Sequence, residues 1–174
     1  MKHLALIFIL AAVSLSVADT TNDTTYAPAE VTIRFVYNHC NDLEAMRHFY
    51  SDLLGMTELG FNLEWNWLGY QCDGFQLCFF GAHNTLPVPT EFTDQPGYQG
   101  GDLEGISWSI EIPEARFAET VNRLQEAGVP CFSDKPQLNL DSYWGFSVLD
   151  PMGVTVEVFC FPEDIPESAE WPDM

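Results

Sequence analysis

The sequence predicts an α+β domain built from two βαβββ modules, and three observations point to it. A β-rich stretch, an amphipathic helix and three further strand candidates follow one another twice along the chain. Each helix stops at a glycine, Gly55 and then Gly128. Between the repeats lies a Gly- and Pro-rich connector, residues 81–105, which separates a first module, 31–80, from a second, 106–161.

Ahead of the domain, residues 1–18 read as a secretory signal peptide. Lys2 and His3 precede the apolar run "LALIFILAAV", and Ser16-Val17-Ala18 before Asp19 suits signal cleavage. The run is too short for a stable membrane anchor, so a secreted or periplasmic product with no membrane partner after cleavage is expected. Residues 19–30 form a polar leader, and the acidic, Pro-broken stretch 162–174 is expected to be a poorly ordered tail.

Within the first module, "VTIRFVYNHC" is the opening strand. Leu43, Met46, Phe49, Tyr50, Leu53 and Leu54 then recur at helical spacing, with Asn41 and Glu44 placed as the two ends of a capping box. "TELGFNL", "WNWLGYQC" and "FQLCFF" are the three strands, the last two joined by the tight-turn pair Asp73-Gly74. In the second module "GISWSIEI" alternates cleanly. Pro113 opens a helix carrying Phe117, Val121 and Leu124, and "PCFSDK", "SYWGFSVLD" and "VTVEVFCF" complete the unit.

Composition excludes some functions. The chain has 6 basic and 26 acidic residues and a formal charge of −20, which argues against nucleic acid and anionic membranes, since both need a basic footprint. Its five cysteines are odd in number, so at least one is free or pairs between chains, and none has the C-x-x-C spacing of a zinc or redox site. His39 and Cys40 stand side by side. Neighbours on one strand point to opposite faces, which makes them a poor nucleophile–base pair.

Two stretches, "DLEAMRHFYSDLLGM" and "LDPMGVTVEVF", carry a resemblance to the vicinal oxygen chelate superfamily: glyoxalase I, bleomycin-resistance proteins and extradiol dioxygenases. The resemblance spans residues 31–161. It implies modules that curl around a central cavity, a small-molecule ligand and a homodimer. Metal-using members take ligands from the first and last strand of each module. Carried over, those positions are Phe35, Gln76, Ser107 (if Trp108, Ile110 and Ile112 face the helices) and Glu157.

A phenyl ring cannot ligate, a serine hydroxyl binds weakly, and a glutamine carbonyl suits only hard cations. No cofactor is therefore expected; a divalent metal, if present at all, would rest on Glu157 and Gln76. Tyr37, Ser109, Tyr143, Ser147 and Thr155 join Phe35, Gln76 and Ser107 as expected ligand-binding residues. Glu157 is the candidate general acid or base. The favoured reading is metal-independent binding of a small organic molecule. The alternative is a glyoxalase-like lyase, isomerase or dioxygenase using Glu157 with a divalent metal.

Overall fold

The computed structural model describes residues 33–95, 100–164, 166 and 168–172. The signal peptide and the leader lie outside the described residues. The first module runs β1 (Phe35–Cys40), α1 (Leu43–Arg47), a π-helical segment (His48–Leu53), β2 (Glu58–Asn62), β3 (Trp67–Gln71) and β4 (Gln76–Gly81). The second runs β5 (Ser107–Glu111), α2 (Glu114–Glu126), β6 (Gln137–Asn139), β7 (Tyr143–Leu149) and β8 (Thr155–Cys160). Each module makes one four-stranded sheet, ordered β1-β4-β3-β2 and β5-β8-β7-β6, with the first and last strands parallel. This is the predicted pair of βαβββ units.

Strand alternation assigns the faces. Leu68, Tyr70, Leu77 and Phe79 of the first sheet are buried with Leu43, Met46, Tyr50 and Leu54 of its helix. In the second, Phe146, Val148, Val156 and Val158 are buried with Phe117, Val121 and Leu124 of α2. Side chains at every second position share a face, so the opposite faces carry Phe35, Tyr37 and His39 on β1, and Ser107, Ser109 and Glu111 on β5.

Polar bonds tie the modules together. The Tyr50 hydroxyl donates to Asp150 Oδ2 at 2.9 Å and accepts from Trp108 Nε1 at 3.2 Å. Asp150 Oδ1 accepts from the backbone N–H groups of Met152 and Val154, which closes the Asp-Pro-x-Gly turn. The guanidinium of Arg123, on α2, donates to the Leu53 carbonyl at the end of the π-helical segment. That carbonyl belongs to a helix end, where backbone acceptors lack partners within the helix.

Three expectations are corrected. The helix cap is Asp42 rather than Asn41: Asp42 Oδ1 accepts from the N–H groups of Glu44 and Ala45. The amide of Asn41 instead exchanges two hydrogen bonds with the backbone of Leu86 and pins the connector. "PCFSDK" supplies only a single bridge, Cys131 to Val148, and the strand forms later at Gln137–Asn139. Pro130 and Pro136 lack the N–H that a continuous ladder would need. Finally, the tail is anchored at Trp171, which packs edge-on against Trp144 and Phe117, with ring centroids 4.9 and 5.5 Å away. All five cysteines are free thiols.

Candidate functional site in the cleft between the modules

The predicted site residues fall on two separate sheet faces. Phe35 and Tyr37 stack on the first sheet, with centroids 5.7 Å apart and planes 13° from parallel. Tyr37 in turn meets Phe80, and Phe80 meets His39. Gln76 is level with Phe35 on the neighbouring strand. Phe35 and Tyr37 are 44% and 55% exposed, so this face is an open aromatic ladder. Trp67 shares it, its indole laid over Gly60 and Gly69, where any Cβ would collide with the ring.

On the second sheet Glu157 is 2% exposed and both of its oxygens are engaged. Oε2 accepts from Ser109 at 2.7 Å and Oε1 from Asn139 at 3.1 Å. Gly145 permits the second bond: a Cβ there would overlap Asn139 Nδ2 and Glu157 Oε1. The strand register puts Ser109, not Ser107, opposite Glu157, while Ser107 lies opposite Thr155. The partner of Glu157 follows from this register, which is not written in either strand alone.

The connector covers part of this face. The N–H of Thr93 donates to Thr155 Oγ1 at 2.8 Å, and the Ser147 hydroxyl donates to Gln95 Oε1 at 3.4 Å. Thr93, Gln95, Ser147 and Thr155 are all buried. Tyr143 sits further along, in ring contact with Phe159 and Phe161. Glu157 is thus the centre of a satisfied hydrogen-bond cluster under a strap, which holds a buried carboxylate without an unmet acceptor.

Open space lies elsewhere. A cleft of about 670 Å³ runs along the free edge of β5, between the modules. The first module lines it with Val36, Leu54, Met56, Phe75 and Leu77; the second with Trp108, Ile110 and Ile112. Ser109, Glu111, Phe159 and Arg116 also face it. Of the predicted residues, Ser109 alone lines this cleft. The sequence reading missed Val36, Leu77, Trp108 and Ile110 because they belong to the helix-facing sides of two sheets, and only the packing of one module on the other brings those sides together.

Residues 37–158 match the sequence model of the Glyoxalase/Bleomycin resistance protein/Dioxygenase superfamily. The chain belongs to that superfamily. Solved structures agree on the fold of this superfamily member. A glyoxalase/dioxygenase from Nostoc punctiforme superposes with a TM-score of 0.57 at 19% identity, covering 83% of this chain and 100% of that one. The oxidase ChaP-H2 gives 0.56 at 17% identity, covering 76% and 95%. A glyoxalase/bleomycin resistance protein/dioxygenase from Nocardioides gives 0.51 at 18%, covering 80% and 90%. No curated protein matches the chain.

Divalent metals are common in this superfamily, and the donor set here does not fit one. Phe35 has no lone pair to offer, Gln76 and Ser109 offer only neutral oxygens, and the Glu157 carboxylate is committed to Ser109 and Asn139. A divalent site needs three or four converging oxygen, nitrogen or sulfur ligands. Among the described residues no group of three or more His, Cys, Asp or Glu side chains converges in that way.

Proposed function

We propose that the chain binds a small organic molecule in the cleft between its two modules, without a tightly held metal, as a secreted, homodimeric protein. The observation that carries this reading is the cleft itself. Its volume of about 670 Å³ falls within the ~300–1,000 Å³ range of small-molecule sites, and it is walled mainly by aliphatic and aromatic side chains, with Thr57, Gln71, Asp73, Ser109, Glu111 and Arg116 as its polar lining. The chemistry of Phe35, Gln76, Ser109 and Glu157 supports the metal-free part of the reading.

The test pairs a metal panel with a filled-cleft variant. EDTA-treated protein is assayed for thermal shift with Ni²⁺, Zn²⁺, Mn²⁺ and Fe²⁺, and a library of small apolar molecules is screened by Trp fluorescence. We expect no metal-specific stabilisation, and expect hits that Met56→Trp weakens by at least about tenfold, because the indole fills the cleft. Stoichiometric metal that disappears in Glu157→Gln would instead favour a metal-using lyase, isomerase or dioxygenase.

A further inference from the structure

We infer that the cleft takes a monocarboxylate with an extended apolar body, its carboxylate held by Arg116. The inference rests on reading the cleft as a ligand site, and goes on to name the ligand class. Val36, Leu54, Met56, Leu77, Trp108 and Ile110 give the body an apolar bed. One guanidinium stands at its edge. Arg116 lies in the first turn of α2 and lines the cleft.

Two observations mark that guanidinium as placed for a ligand. It is seated against the backbone of Gly55, whose φ of +75° and missing side chain leave the space; a Cβ at that position would overlap Arg116 Nη2. Among the described residues it is also uncommitted: no carboxylate there comes within 4 Å of it, although the chain carries 26 acidic residues. Arg47 and Arg123, by contrast, are held by Glu58 and Glu119.

A guanidinium presents paired N–H donors that match a carboxylate's two oxygens. The start of α2 adds to this: Pro113 also lines the cleft, no side chain caps the helix there, and the helix dipole favours negative charge. Asp73 and Glu111 line the same cleft and limit the charge to one. A dicarboxylate or phosphate ester would bring further negative charge against them. Apolar walls and one guanidinium without an ion-pair partner favour an amphipathic acid, and the two carboxylates that share the lining disfavour a second negative charge on it.

The test compares three ligands of one chain length, decanoate, decan-1-ol and decylamine, each below its micelle concentration. Binding to the full chain is followed by Trp fluorescence in EDTA at neutral pH. Decanoate should bind at least about tenfold more tightly than the other two. Arg116→Gln should reduce decanoate to the level of decan-1-ol and leave decan-1-ol unchanged. Equal binding of decanoate and decan-1-ol, or an Arg116→Gln variant with undiminished decanoate binding, overturns the carboxylate assignment while leaving the cleft as a ligand site. If none of the three binds saturably, or Met56→Trp weakens none of them, the cleft reading itself fails.

Discussion

Glu157 shows how a residue's chemistry is decided by its neighbours. A lone carboxylate on an inner strand suggests acid–base work, yet Ser109 and Asn139 occupy both oxygens and Gly145 is shaped around the second bond. Glu157→Gln keeps an acceptor for Asn139, and Ser109 can rotate to accept from the new amide. Its cost in urea unfolding should be below about 1 kcal/mol. Glu157→Ala strands both partners and should cost about 2–4 kcal/mol. Gly145→Ala should cost about 1–3 kcal/mol, since its methyl displaces the Asn139–Glu157 pair. A Glu157→Ala variant as stable as the parent would show the cluster to be incidental.

At this scale the sequence was legible in its residue types but not in its pairings. Phe35 was readable as a non-ligand because a ring has no lone pair to offer. That Ser109 partners Glu157, and that Asp42 rather than Asn41 caps the helix, depends on which groups lie opposite.

Among the elements, the Asp-Pro-x-Gly turn and the first helix form one polar joint. Asp150 is buried, and desolvation pushes its carboxyl above the usual range despite bonds from Tyr50, Met152 and Val154. Burial likewise drives the Tyr50 hydroxyl upward, with the Asp150 charge adding to the effect. The sign for Asp150 follows from the raised value. A carboxyl held above its unfolded value binds its proton more readily when folded, so protonation favours the fold. Its ionised form is a liability at neutral pH that fades as pH falls through the folded value. Asp150→Asn removes this dependence. Measured by urea unfolding, the parent should therefore gain stability relative to Asp150→Asn as pH drops from neutral toward the carboxylate range. A constant difference would contradict the assignment. Asp150→Ala, which leaves a tyrosine hydroxyl and two N–H groups without acceptors, should cost at least about 3 kcal/mol at any pH.

The elements themselves were largely readable. Among the described residues, periodicity located both helices and seven of the eight strands, since alternation and helical spacing are local properties. β6 escaped because proline spacing, rather than hydrophobic pattern, decides where that ladder can form. The π-helical segment also left no readable signal: Phe49, Tyr50, Leu53 and Leu54 are all buried, which suits either helical period.

For the whole molecule, the modules leave at the surface the cleft along β5 and the aromatic ladder of Phe35, Tyr37 and Phe80. The ladder is the face on which we place the proposed homodimer contact, since exposed contiguous apolar patches mark association sites. A charge of −20 on each copy opposes that contact. Light scattering should find more dimer as salt is raised, and Tyr37→Glu should give monomer throughout. Dimer in Tyr37→Glu at the parent's level would place the contact elsewhere. The cleft was invisible in the sequence for a physical reason. It is made of ordinary core residue types, Val36, Phe75, Trp108 and Ile110, that the packing of two modules leaves partly uncovered.

The most direct measurement is amide chemical-shift mapping of EDTA-treated protein titrated with decanoate. Metal-free binding in the cleft predicts saturable shifts at 54–57, 108–112 and 116. Shifts confined to the Phe35–Tyr37 face, or shifts that need an added divalent metal, would contradict it.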